Sequence, residues 1–86
     1  MVLIDFYGTE CHHCIEMEPL IKKLEKEEKV KVKRLEVWHN AANDKKREEL
    51  DEGFCGGVPL FVNTETGKKI CGSTSYANLK KWALGK

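Results

Sequence analysis

An α/β domain on a mixed sheet is the fold class this sequence predicts, and three observations carry it. The runs Met1-Val2-Leu3-Ile4-Asp5-Phe6-Tyr7 and Leu60-Phe61-Val62 are short, apolar and ended by Gly8 and Asn63, which is how buried strands read. Between Cys11 and Lys29 the apolar residues Cys14, Met17, Ile21 and Leu24 recur at three and four positions, which is helical spacing. A turn-forming stretch, Asn63-Thr64-Glu65-Thr66-Gly67, joins Leu60-Phe61-Val62 to Lys68-Lys69-Ile70-Cys71 as an antiparallel hairpin.

The elements follow in order. The first strand, interrupted by the single acid Asp5, leads into a helix over about 11–29, its stripe widened by Ile15 and Leu20. Lys22, Lys23, Lys26, Glu27 and Glu28 hold the opposite face, and Glu18–Lys22 and Glu25–Lys29 are favourable i,i+4 pairs. Pro19 removes one backbone donor inside this helix and kinks it near Ile15. Val30–Trp38 reads as the second strand. Val30 and Val32 lie on one phase and Leu35 and Val37 on the other, so it carries a bulge or is buried on both faces. Asn40 or Asn43 caps a second helix running to about Glu52, with little apolar face beyond Ala42 and Leu50, and Gly53-Phe54 stops it with a hydrophobic contact. The two lysines of the last strand suit a sheet edge. Ser75 caps a final helix that turns Tyr76, Leu79, Trp82 and Ala83 inward. The order is β-α-β-α-β-β-α, a parallel pair followed by a hairpin, in one domain over residues 1–86.

Composition narrows the function. With 41% hydrophobic and 34% charged residues the chain of 86 is neither disordered nor fibrous. A net charge of +1 argues against a nucleic-acid partner. No apolar stretch approaches a membrane span and no secretory signal opens the chain, so a cytoplasmic monomer without a membrane partner is expected. Four cysteines are too few for a disulfide-built scaffold, and only Cys11 and Cys14 stand close together. That spacing reads as one reactive pair plus two bystanders.

Cys11-His12-His13-Cys14 follows a strand and opens a helix. A thiol at a helix N-terminus faces unpaired amide donors and the positive end of the dipole, which favour its thiolate. A second thiol three residues on lies one turn along the same face, close enough to close a disulfide. Such a pair exchanges disulfides: one thiolate attacks a partner disulfide, and the other releases the product. Cys11 is expected as the exposed nucleophile and Cys14 as the buried resolving thiol.

With these residues the chain resembles the thioredoxin-like superfamily over nearly its whole length. Leu3-Ile4-Asp5-Phe6-Tyr7 is similar to the strand that carries a buried aspartate before the active site. Cys11–Cys14 falls at the redox position, Pro19 where the active-site helix is kinked, and Val58-Pro59 where a cis-proline faces the cysteines. The resemblance is closest to the minimal, glutaredoxin-sized form, a four-stranded mixed sheet flanked by three helices. It implies a thiol–disulfide oxidoreductase of the electron-transport and redox-homeostasis kind. Its partners would be protein disulfides and an unidentified reductase or dithiol donor, with no cofactor and no metal.

The expected site follows residue by residue. Cys11, Cys14 and Asp5 are catalytic, with Asp5 accepting the proton of Cys14, directly or through a water, when the mixed disulfide resolves; the alternative is a strand-end aspartate facing solvent, and the family register favours the first.

 Buried, an acid in that position is costly to ionise and titrates high. His12 and His13 are expected to tune the redox potential, with Glu10 opposing them by repelling the thiolate. Gly57, Val58 and Pro59 are expected to bind an extended substrate segment through the Val58 backbone. Cys55 and Cys71 read as small buried hydrophobes, or else Cys55 serves as a third thiol beside the active site. Trp38 and His39 line the site or cover the core, while Phe6, Phe61, Trp82 and the Met17–Leu24 stripe pack it. The alternative function is metal binding, in which Cys11, Cys14, His12 or His13, and Cys55 hold zinc or copper.

Overall fold

The computed structural model describes residues 2–85, so Met1, at the head of the first apolar run, lies outside the described residues. The elements are β1 (Leu3–Tyr7), α1 (His12–Glu28), β2 (Val32–Glu36), α2 (Ala41–Asp51), β3 (Leu60–Asn63), β4 (Lys69–Cys71) and α3 (Tyr76–Leu84). The strands form one sheet in the order β2-β1-β3-β4. β1 runs parallel to β2 and antiparallel to β3, and β4 returns antiparallel to β3 at the edge. This is the mixed sheet and element order that the sequence predicts.

β2 is shorter than expected, since Val30 precedes it, and its phase slip has a simple cause. The register from Leu3↔Val32 to Tyr7↔Glu36 runs without a bulge. Val32 packs into the cluster with α1 and α3, whereas Leu35 and Val37 pack into the cluster on the other face. The strand is apolar on both phases because the sheet is covered on both sides.

One cluster joins Leu3, Val32 and Phe61 of the sheet to Met17, Ile21 and Leu24 of α1 and to Leu79, Trp82 and Ala83 of α3. Phe61 and Trp82 meet edge to face with centroids 5.5 Å apart, a contact worth about 0.5–1.5 kcal/mol beyond its buried area. The second cluster holds Ile4, Phe6, Val37, Leu60 and Val62, with Leu50, Cys55 and Val58 packed against it.

The helix ends explain the boundaries. Pro19 lies within α1 without ending it, and Lys29 stops the helix in the left-handed conformation. Asn40 Oδ1 accepts from the Asn43 amide at 3.0 Å and starts α2. α2 buries Arg47 and Asp51 in place of an apolar stripe, their side chains paired at 3.0 Å. Its stop differs from the expectation. Glu52 takes the left-handed conformation and donates to the Glu48 carbonyl, while Phe54 is exposed and makes no hydrophobic closure. Ser75 Oγ accepts from the Asn78 amide at 3.2 Å and caps α3. Among the described residues no helix is long and apolar enough to cross a membrane.

Candidate active site

β1 delivers the chain to a tight turn in which the Cys11 amide donates to the Gly8 carbonyl at 3.0 Å. Cys11 then becomes the N-cap of α1, with extended backbone angles. Its sulfur occupies the place that a serine or aspartate oxygen usually takes and accepts from the Cys14 amide at 3.2 Å. The sulfur thus sits at the positive end of a helix of 17 residues. Cys11 and Cys14 are joined in a disulfide, their Cα atoms 5.2 Å apart.

The expected contrast in exposure is absent, because Cys11 and Cys14 are each 6% exposed. Surroundings distinguish them instead. Cys11 Sγ lies 4.0 Å from the Val58 carbonyl oxygen, across from the second half of the chain. Cys14 lines a cavity of about 220 Å³ together with Asp5, Tyr7, Gly8, Thr9, Ile15 and Glu18. That volume accommodates several waters, each needing about 30 Å³.

Asp5 is buried on β1, and its Oδ1 has no hydrogen-bond partner. Burial, reinforced by the nearby Glu18 charge, pushes its pKa up to about 7 against the opposing pull of Arg34. Arg34 stands beside Asp5 in the β1–β2 register but spends its guanidinium on Glu18 and Glu25, at 2.8 and 3.0 Å. A half-ionised carboxyl near neutral pH therefore shares a cavity with Cys14.

The Val58–Pro59 peptide is cis. The Pro59 carbonyl accepts from the Gly72 amide at 2.8 Å, which ties this loop to the end of β4. A Cβ on Gly57 would meet nothing within 4 Å, so this residue borders open space next to Val58.

The charged residues around the motif pair with one another. His12 Nε2 and His13 Nδ1 both approach Glu16 Oε1, at 3.9 and 3.1 Å, and both rings are largely exposed. Glu10 contacts His39 Nε2 through both oxygens, at 2.8 and 2.9 Å. That hydrogen bond and the Glu10 charge hold the His39 pKa above its usual value. Glu10 is thus an ion-pair partner of His39 rather than an isolated charge facing the thiolate.

Glu36 and Asp51 were not anticipated as positioning residues, whereas Trp38 was expected to line the site or cover the core. Glu36 accepts from the amide and hydroxyl of Thr9 and from the His39 amide, at 2.9, 3.1 and 2.7 Å, tying the turn before Cys11 to the end of β2. Trp38 lies flat over Gly8, where an added Cβ would overlap its ring, so it covers the approach to the motif although half exposed. Asp51 accepts from the amides of Cys55 and Gly56 at 2.6 and 2.7 Å. Burial alone would raise the Asp51 pKa, yet these two amides and Arg47 hold it below the usual carboxylate range. An acid in the last turn of a helix opposes the dipole, and that misfit was the sequence signal for a separate task.

Cys55 and Cys71 are not the two lone bystanders the spacing suggests, and in this oxidised form Cys55 is not a free third thiol. They are joined in a disulfide with Cα atoms 5.4 Å apart, and among the described residues no cysteine is free. The zinc or copper set of Cys11, Cys14, His12 or His13, and Cys55 would require both disulfides to be reduced. Glu10, Glu36 and His39 bring one ligand atom each within 4.8 Å of one another, but their own hydrogen bonds already engage them.

The family model for thioredoxin matches residues 1–84. The chain belongs to the thioredoxin family. The Cys11–Cys14 disulfide occupies the active-site position of this thioredoxin-family domain. No curated protein matches the chain.

Proposed function

We propose that this protein is a dithiol–disulfide oxidoreductase that acts on protein disulfides through Cys11 and Cys14. The observation that carries the proposal is the pairing of two cysteines at the start of α1, one capping the helix and the other sharing a cavity with the buried Asp5. In the reduced protein the Cys11 thiolate is stabilised by the Cys14 amide and the helix N-terminus. It attacks one sulfur of the substrate disulfide, forming a mixed disulfide while the other substrate sulfur leaves as a thiolate and is protonated. Cys14 gives its proton to ionised Asp5 across the shared cavity and attacks Cys11 Sγ. The Cys11–Cys14 bond forms, the mixed disulfide breaks, and the second substrate thiol departs with two electrons delivered.

A pKa of about 7 suits Asp5 to this work, since it takes and returns a proton near neutrality with little driving force lost. Gly57 leaves room for a substrate chain, whose backbone pairs with Val58 beside Cys11. The exposed pairs His12–Glu16, His13–Glu16 and Glu10–His39 set the charge around the sulfur and tune its potential. We read the protein as a cytoplasmic monomer recharged by a reductase or dithiol donor.

Titration against a defined dithiol couple, with insulin reduction as the activity assay, tests the proposal. Cys11→Ser abolishes turnover, and Cys14→Ser accumulates a mixed disulfide with substrate. Full activity in either variant overturns the assignment. Stoichiometric zinc that survives chelation, together with no Cys11–Cys14 couple, favours the metal-binding reading instead.

A further inference from the structure

Exchange at Cys11 and Cys14 leaves a second disulfide unused. We propose that Cys55–Cys71 is a second redox centre, opened by a dithiol reductant at Cys71, the exposed residue of the pair, whose opening releases the loop that presents Val58 to Cys11. Its effect on substrate binding rests on the oxidoreductase reading, whereas the existence of the second couple does not.

Access favours the step. Cys71 is exposed at the end of β4, an edge strand, whereas Cys55 is half-buried against the cluster that contains Leu60 and Val62. An incoming thiolate therefore reaches Cys71 first. The reductant–Cys71 bond forms as the Cys55–Cys71 bond breaks, and Cys55 leaves as a thiolate and takes up a proton. The second thiol of the reductant loses its proton and attacks the reductant sulfur, releasing Cys71 as a thiolate that is protonated in turn. Two electrons pass to the cystine, and the dithiol becomes a disulfide. In a reducing cytosol an accessible disulfide belongs with the transient or sensing kind.

The position of the bond gives the step a consequence. The end of β4 clamps the Val58 segment twice, covalently from Cys71 to Cys55 and by the Gly72 amide to the Pro59 carbonyl at 2.8 Å. Between those clamps lie Gly56 and Gly57, where an added Cβ would touch nothing, and Val58, which packs against the cluster that contains Leu60 and Val62. The Asp51 carboxylate holds the amides of Cys55 and Gly56 but reaches no further. Opening the disulfide removes the covalent clamp and leaves Val58 held by its packing on the cluster and by the Gly72–Pro59 hydrogen bond.

The test uses the full chain carrying Cys11→Ser and Cys14→Ser, so that only one couple remains. The protein is equilibrated with reduced and oxidised dithiothreitol, its thiols are counted by mass-tagged alkylation, and its amide exchange is followed by mass spectrometry. A reversible two-electron transition in folded protein is expected, with exchange at the hydrogen-bonded amides of Cys55, Gly56 and Gly72 rising about tenfold while β1 stays protected. A disulfide that opens only as the chain unfolds overturns the proposal, as does one whose opening leaves exchange at Cys55, Gly56 and Gly72 unchanged. The link to activity is read separately from Cys55→Ser/Cys71→Ser in the otherwise native chain, where KM for insulin rises about threefold or more and kcat stays within about twofold. An unchanged KM overturns the link. An inactive Cys11–Cys14 pair in the native chain refutes the oxidoreductase reading alone.

Discussion

Replacing Asp5 by Asn should change how stability depends on pH, and the size of the change follows from where the carboxyl sits. The folded chain raises its pKa from 3.8 to about 7, burial being the largest cause. Between those values the unfolded chain releases a proton that the folded chain keeps, so rising pH draws the equilibrium toward unfolding. A difference of about 3 units corresponds to about 4 kcal/mol at 1.36 kcal/mol per unit, absent below pH 4 and complete above pH 7. Asn carries no charge and does not incur this cost. Its amide introduces a constant offset, which cancels when the same two proteins are compared at two pH values. Urea unfolding with both disulfides intact, at half-unit steps from pH 4 to pH 9, measures the effect. The gap between Asp5→Asn and the natural protein should move in favour of the variant by up to about 4 kcal/mol across that range. Parallel stability curves would show that Asp5 ionises as it does in the unfolded chain, and the case for it as a proton acceptor tuned to neutral pH would collapse.

Other expectations can be checked more briefly. Arg34→Met removes the cation between Glu18 and Glu25, so the Glu25 pKa returns toward its usual value and that of Asp5 climbs further, both visible by carboxyl NMR; stability falls by about 1–3 kcal/mol. Glu10→Gln removes the main cause of the raised His39 pKa, and imidazole NMR should record a downward shift; no movement would mean that the pair does not persist in solution. Gly8→Ala drives a methyl into the Trp38 ring, with a loss of about 1–3 kcal/mol and altered Trp38 fluorescence; adding Trp38→Ala should recover much of that loss. Cys55→Ser/Cys71→Ser gives up a cross-link at a sequence separation of 16, at a cost of about 3 kcal/mol in chemical unfolding.

The parts of the site written in local sequence were the readable ones. A strand, a short turn and a helix starting at Cys11 follow from neighbouring residues, and so does the reach between Cys11 and Cys14. Asp5 was recognisable as a misfit in an apolar run, although its burial depends on α1 covering that face of the sheet. The Cys55–Cys71 bond was hidden because no local rule sets it. The β3–β4 register puts Cys71 opposite Leu60, and the loop after α2 brings Cys55 back to the same edge. Glu36 and Asp51 escaped for a related reason, since each acts by receiving amides that the fold carries to it, and only the misplaced charge of Asp51 at the end of α2 was visible in the sequence. The outward Phe54 was misread because a left-handed Glu52 had already ended α2.

The placement of β1 between β2 and β3 also governs when the site comes into being. Leu3 pairs with Val32 on one side and with Asn63 on the other. During synthesis the cysteines of α1 leave the ribosome well before the Val58 carbonyl that faces Cys11, which arrives only with β3. Until then the pair has a helix N-terminus but no opposite wall, so a nascent chain holds reactive sulfur before it holds any means of choosing a substrate.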